Sequence, residues 1–209
     1  MKKPFMIAVT GGSGSGKSTV VELIQKSCPT IPILVLTLDH YYKDWSHLSP
    51  DQRAKVNFDH PDSIDSHTLC AHIQQVARGE RFYRPSYDFA THSRTEEKVL
   101  VEPAAVVILD GIFSLYFEEI RSFFDLKIYL DVPNDVRFIR RLHRDMDTRG
   151  RSMGSVVDQY LSTVRPMHTR FIEPTKSFAD LLISWEDRNP TTIEMLASII
   201  HEKSNGSSV

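Results

Sequence analysis

The run Gly11-Gly12-Ser13-Gly14-Ser15-Gly16-Lys17-Ser18 constrains this chain more than any other stretch. It fits the phosphate-loop pattern G-x-x-x-x-G-K-[ST], with Gly11, Gly16, Lys17 and Ser18 in the fixed places. Glycines let the backbone turn tightly and expose successive N–H groups, which line a concavity suited to phosphate oxygens. A helix beginning at Lys17, Ser18 and Thr19 adds unpaired N–H groups and a positive dipole end. Lys17 would reach the β- and γ-phosphates, and the Ser18 hydroxyl would ligate Mg²⁺. The bland alternative is a Gly/Ser turn or linker. Context argues against it: Phe5-Met6-Ile7-Ala8-Val9 before the loop reads as a buried strand, and Val20, Leu23, Ile24 and Ser27 after it recur at helical spacing.

Length allows one domain over residues 1–203, with a small lid or inserted hairpin and a frayed tail at 204–209. Apolar residues make up 41% of the chain and charged residues 25%, enough to build a sizeable core. A net charge of −2 gives no broad basic footprint, so nucleic acid is not an expected partner. No apolar run approaches a membrane span. Met1-Lys2-Lys3 is basic, but no signal-type apolar run follows, which makes the cytoplasm the expected location. Cys28 and Cys70 lie in separate helical stretches without metal spacing and read as reduced thiols.

Continuous apolar runs at 32–38, 105–109, 125–130 and 179–183 read as further strands, alternating with a helix marked by Leu69, Ile73 and Val76 that stops at Gly79 and with helices near 114–123, 134–147, 154–171 and 191–202. That alternation predicts an α/β fold, a parallel sheet of about five strands with helices on both faces. Segments 81–85 and 98–102 read as short strands of a flap inserted at 81–102, separated by a loop around Tyr87-Asp88-Phe89. Ligands on such sheets bind beyond the carboxyl ends of the strands. Asp39 and Asp110 each follow a buried strand at that end.

A phosphate loop serves switches, motors, hydrolases and kinases alike, so neighbouring residues must decide. No N-K-x-D guanine reader is present, and the one D-x-x-G, at Asp147-Thr148-Arg149-Gly150, reads as a helix terminus. Transfer to a hydroxyl needs a carboxylate to take the proton, polar groups to hold the acceptor and cations for the transition-state charge. Asp39 could take the proton, and Asp59 could hold vicinal hydroxyls. Tyr41, Tyr42, Phe58, Tyr87, Phe89 and His92 are aromatic residues in polar loops that suit stacking around a flat ring. Near 134–147, Ile139, Leu142 and Met146 form an apolar stripe. Arg137, Arg141 and Arg144 share another face. Arg137 and Arg140 read as a solvated surface, and Arg141, Arg144, Arg149 and Arg151 as part of a mobile lid at 141–155. Gln159 reads equally as a helix-surface amide or a ligand.

These motifs together resemble the uridine kinase (uridine-cytidine kinase) family of phosphate-loop kinases, from the phosphate loop to about residue 185. The resemblance rests on Asp39-His40-Tyr41-Tyr42, Asn57-Phe58-Asp59-His60-Pro61, Tyr87-Asp88-Phe89, His92-Ser93-Arg94 and Asp110-Gly111-Ile112. It continues through Arg144-Asp145, Arg149-Gly150-Arg151-Ser152-Met153, Gln159-Tyr160, Val164-Arg165-Pro166-Met167 and Phe171-Ile172-Glu173-Pro174. It implies transfer of the γ-phosphate of ATP or GTP, with Mg²⁺, to the 5′-hydroxyl of uridine or cytidine. It also implies a homotetramer. Asp39 would be the base, with Lys17 and Arg144 acting on the transferred group. Arg149 and Arg151 would bind donor phosphates. Asp59, Arg141 and Gln159 would hold the ribose, Tyr87 and His92 would read the pyrimidine edge, and Tyr42, Phe58 and Phe89 would pack around it. Ser18 and Asp110 would form the metal shell.

The chain departs from the family pattern twice. Asp110 stands where many relatives carry glutamate, one methylene longer. After the last strand, Ser184-Trp185-Glu186-Asp187-Arg188-Asn189 replaces a Pro- and Gly-containing turn, which offers Trp185 as a stacking partner for the donor base. Two alternatives stay open: a phosphoribulokinase-like or other small-metabolite kinase on the same scaffold, and a nucleotide-binding switch without phosphotransfer.

Overall fold

The computed structural model describes residues 3–205 apart from positions 54 and 90. In chain order the elements are β1 (Phe5–Gly11), α1 (Lys17–Ser27), β2 (Ile33–Thr37), α2 (Pro50–Arg53), α3 (Ser66–Ala77), β3 (Phe82–Asp88), β4 (Ser93–Val101), β5 (Val106–Asp110), α4 (Glu118–Arg121), β6 (Leu126–Asp131), α5 (Asn134–Arg149), α6 (Met153–Gln159), α7 (Arg165–Met167), β7 (Leu181–Ser184) and α8 (Pro190–Asn205). The main sheet has five strands in the order β2-β5-β1-β6-β7, each pair parallel. This is the expected α/β architecture.

Strand alternation divides the core into two halves. Met6 and Ala8 of β1 join Leu36, Leu109, Phe113 and Tyr129 on one face, closed by Leu69 and Ile73 of α3. Ile7 and Val9 join Ile108, Ile128 and Leu130 on the other, closed by Val20 and Ile24 of α1 and by Ile193 and Leu196 of α8. Strands covered on both faces need apolar residues at every position, so β1 and β5 lack a polar side. Helix α3 starts where Asp65 caps it, its carboxylate accepting from the Thr68 N–H at 3.0 Å.

The flap is better ordered than its sequence predicts. Tyr87 pairs with Arg94 and Asp88 with Ser93, so most of the expected loop belongs to the antiparallel β3–β4 ladder. A register shift between Pro85 and Tyr87 breaks the alternation that would have revealed it. The expected helix at 114–123 contracts to α4. The one expected at 154–171 is a run of α6 and α7 interrupted by π-type turns at Tyr160–Val164 and His168–Ile172. The terminal helix continues through Ser204 and Asn205, and positions 206–209 of the expected tail lie outside the described residues.

Helix α5 reverses the sequence expectation. Its buried residues are Arg137, Arg141 and Asp145, spaced i, i+4, i+8 along one face. Ile139 of the apolar stripe is 52% exposed, and Met146 is exposed as well. Arg137 is only 2% exposed and therefore not part of a solvated surface. Arg140 is not free either: its guanidinium donates to the Trp185 carbonyl at 3.0 Å and to that of Glu186. The face of α5 that meets the phosphate loop is polar, and ion pairs and carbonyl contacts compensate its charges.

Candidate active site

The phosphate loop connects β1 to α1 at the carboxyl end of the sheet. Gly14 and Gly16 take φ of +81° and +90°, in the left-handed region that favours glycine. Space is as restrictive as the backbone angle. A Cβ on Gly14 would lie 2.2 Å from the Arg137 carbonyl oxygen, and one on Gly16 would lie 2.9 Å from the Trp185 ring. The loop is thus wedged between α5 and Trp185. Gly16 caps α1 without a side-chain hydrogen bond, which leaves the first-turn N–H groups for an anion. Lys17 folds back and donates to the Gly11 and Gly12 carbonyls at 3.0 and 3.2 Å. Burial pushes its ammonium below the ordinary lysine range, while the carboxylates of Asp110 and Asp39 oppose that shift.

Strand register brings the two aspartates together. Asp110 lies level with Val9 of β1 and Thr37 of β2, and Asp39 follows β2 in a single 3₁₀ turn. The Ser18 hydroxyl donates to Asp110 Oδ2 at 2.8 Å. Asp110 Oδ1 is buried with no hydrogen-bond partner. A hydroxyl beside a carboxylate with a spare oxygen fits Mg²⁺, which binds through one or two such groups, water and substrate phosphates. Among the described residues no cluster of three or more His, Cys, Asp or Glu could hold a metal unaided. Burial raises the Asp39 carboxyl above its ordinary value. Lys17 pulls it down, Asp110 pushes it up, and a hydrogen bond from Tyr42 lowers it.

A chain of aromatic rings leads away from Asp39. Tyr42 packs on Phe58 at 5.0 Å and on Tyr87 at 5.4 Å between ring centroids. His92 stacks on Phe58 at 4.9 Å, with an interplanar angle of 24°. His92 holds a φ of +52°, so the flap tip carries a strained backbone that presents this ring. The Tyr87 hydroxyl is buried without a hydrogen-bond partner, and burial pushes its pKa up to about 12. Phe89 contacts Tyr87 but is 52% exposed, at the rim rather than within the enclosure. Asp59 is buried; burial raises its carboxyl, with Arg141 and then Arg144 opposing.

Arg141 links the two halves of the cleft. It donates to the Ser13 hydroxyl at 2.8 Å and to Gln159 Oε1 at 2.9 Å. Arg151 donates to the same Gln159 oxygen and to the Ser155 hydroxyl at 2.8 Å. Arg144 and Arg149 reach the Asp145 carboxylate at 2.9 and 3.3 Å.

The model of the phosphoribulokinase / uridine kinase family matches residues 6–192. The chain belongs to that family. A uridine kinase of Clostridium perfringens is 45% identical over 202 residues, covering 97% of both chains. A uridine kinase of Brevibacillus brevis is 45% identical over 200 residues, covering 96% of this chain and 94% of that one. The solved phosphoribulokinase of Rhodobacter spheroides superposes with a TM-score of 0.67 at 17% identity, over 88% of this chain and 71% of that one, a likeness of fold alone.

Within this family frame, contacts and charge interactions link most of the singled-out residues: Gly11 to Thr19, Asp39, Tyr42, Phe58, Asp59, Tyr87, His92, Asp110, Arg141, Arg144, Arg149, Arg151 and Gln159. Three aromatic expectations change. Tyr41 is fully buried in the core, its hydroxyl 3.1 Å from His72 Nδ1, because the 3₁₀ turn after β2 points it inward. Phe89 moves to the rim. Trp185 is 3% exposed and packs in the core against Gly16, so its ring is not free to stack on a donor base. Two residues named in the sequence take unexpected places: Arg137 behind the loop and Asp145 buried among the arginines. Their i, i+8 spacing on the Arg141 face was the available signal.

Proposed function

We propose that the protein is a uridine kinase, transferring the γ-phosphate of a nucleoside triphosphate to the 5′-hydroxyl of uridine or cytidine. The buried, unpartnered Tyr87 hydroxyl carries this reading. It sits in an aromatic enclosure beside Asp39 and the phosphate loop, where a flat heterocycle with polar edges would satisfy it. A sugar phosphate has no such ring. The names of relatives at 45% identity support the same substrate class.

The acceptor enters between the flap and α5. Tyr42, Phe58 and His92 pack against its base, and Tyr87 hydrogen-bonds one edge. Asp59, with Arg141 and Gln159, takes the ribose hydroxyls, while Phe89 shields the rim. Asp39 accepts the 5′-proton as O5′ bonds to the γ-phosphorus and the bond to the β-phosphate oxygen breaks, releasing the nucleoside diphosphate. Lys17, Arg144, Arg149 and Arg151 balance charge on the phosphate oxygens, and the loop amides hold them in line. Ser18 and Asp110 would hold Mg²⁺, which would supply positive charge to the donor phosphates. ATP or GTP as donor, homotetrameric assembly and a cytoplasmic location belong to the same proposal and rest on the family resemblance.

Diphosphate release decides among the readings. Uridine and cytidine should drive it, ribulose 5-phosphate should not, and Asp39→Asn should slow turnover by about 10²- to 10⁴-fold while uridine still binds. Turnover on ribulose 5-phosphate instead would move the protein to the small-metabolite kinases. Nucleotide binding without turnover on any hydroxyl acceptor would make it a switch.

A further inference from the structure

Asp145 is fully buried, at 0% exposure, and four guanidinium groups converge on it. On Oδ1 lie Arg144 Nη2 at 2.9 Å, Arg144 Nε at 3.0 Å and Arg149 Nη1 at 3.3 Å. On Oδ2 lie Arg141 Nε and Arg151 Nη1, both at 3.5 Å. Its main-chain carbonyl accepts the Gly150 N–H and, at 3.1 Å, that of Arg151. One residue therefore gathers the arginine side chains and closes the backbone turn that carries two of them.

The four arginines do not depend on it equally. Arg141 is also held by Ser13 and Gln159, and Arg151 by Gln159 and Ser155. Arg144 and Arg149 have no other carboxylate within 4.0 Å among the described residues. A guanidinium offers five N–H donors in a rigid fork, so a bond to Asp145 leaves outward donors unspent. Even with Asp59 facing Arg141 and Arg144 and Asp39 near Arg149, four positive charges outnumber the carboxylates around them, which leaves the cluster cationic.

We propose that Asp145 is the positioning residue of the donor-phosphate clamp. Its carboxylate hydrogen-bonds Arg144 through Oδ1 and ion-pairs with Arg149 and Arg151 before nucleotide arrives, so that the outer N–H groups of all three face the triphosphate. Without it, like charges repel and long side chains spread into solvent. Binding would then have to order them, which lowers affinity. The inference rests on the reading of these arginines as the donor clamp. It predicts an asymmetry, because the acceptor-side Arg141 keeps its other anchors.

The test uses Asp145→Asn and Asp145→Glu in the full chain, with donor and uridine KM measured separately. Asp145→Asn should raise donor KM about tenfold to a hundredfold, the range set by losing charge-assisted hydrogen bonds. Uridine KM should stay within about threefold, because Ser13 and Gln159 still hold Arg141. Inorganic tripolyphosphate should raise the Tm of the wild type more than that of the Asn variant, since a prearranged clamp binds it more tightly. Equal rises in both KM values, an unchanged donor KM, or a larger tripolyphosphate shift in the variant would overturn the proposal. If the Asn variant does not fold, Asp145→Glu decides: it keeps the charge one methylene displaced and should raise donor KM several-fold with uridine KM unchanged. A Glu variant with wild-type donor KM would then overturn it. If the wild type turns over a different acceptor, the uridine proposal fails, yet the same donor measurements with that acceptor still test Asp145.

Discussion

Asp39 must be ionised to take a proton, yet burial holds its carboxyl above the ordinary aspartate value of 3.8. The acid limb of kcat/KM should therefore lie above the ordinary aspartate value, with activity lost as pH falls through the raised value. The Tyr42 hydrogen bond stabilises the ionised form. Tyr42→Phe should move that limb upward, by about one pH unit at most for one such bond. A limb that does not move in a pH–rate profile would mean that Tyr42 does not act on the base. Tyr87 separates binding from stability. Tyr87→Phe should raise uridine KM about fivefold to tenfold, the worth of one hydrogen bond. Its Tm should hold or rise, because the variant removes a buried hydroxyl that lacks a partner in the free protein. A fall in Tm with unchanged uridine KM would make that hydroxyl structural. At this scale the sequence was informative wherever a polar or aromatic residue followed a strand or sat in a polar loop. It could not distinguish Tyr41 from Tyr42: both are buried in the same core, but the Tyr41 hydroxyl meets His72 while that of Tyr42 hydrogen-bonds Asp39.

Helix α5 shows where element-level reasoning breaks down. Periodicity finds its two faces but assumes that the apolar one is buried. Here the phosphate loop needs cations and carbonyls behind it, so Arg137, Arg141 and Asp145 turn inward and Ile139 turns outward. Arg137 donates through Nε to the Val132 carbonyl at 3.1 Å, through Nη1 to that of Ser13 at 3.5 Å, and through Nη2 to the Asn134 amide oxygen. Its carbonyl oxygen also occupies the space beside Gly14. Arg137→Met keeps much of the volume and removes the fork. Triphosphate affinity by calorimetry should fall about tenfold or more, and Tm should fall with it, because carbonyls of the loop and of Val132 lose their donors. Arg137→Lys should recover little, since a single ammonium cannot span three acceptors on two segments. Full recovery by lysine would mean that charge alone backs the loop. The flap escaped full recognition for a related reason. Alternation locates a strand, but the shift between Pro85 and Tyr87 exchanges the faces halfway along β3.

Across the whole molecule, the continuous apolar strands made the parallel sheet legible, and the crossover logic of such sheets placed Asp39 and Asp110 at one edge. What remained hidden was non-local: that Trp185, from the far end of the chain, packs against Gly16, and that α5 sits behind the loop. The same assembly sets stability against activity. Asp39 keeps a raised pKa even after Lys17 has pulled it down, so its ionised form is a net penalty on the folded state. Between the unfolded value near 3.8 and the raised folded value, the native protein binds more protons than the unfolded chain. Its stability therefore declines as pH rises through that window. Asp39→Asn removes the penalty, as well as the base. It should stabilise the protein at neutral pH, seen as a higher Tm than that of the wild type. The gain should shrink toward zero as pH falls through the raised value, because both proteins are then uncharged at this position. Thermal unfolding of the two proteins at neutral and acidic pH measures it. An Asn variant less stable than the wild type at neutral pH would mean that attraction to Lys17 outweighs burial, and that the ionised carboxylate helps hold the fold together.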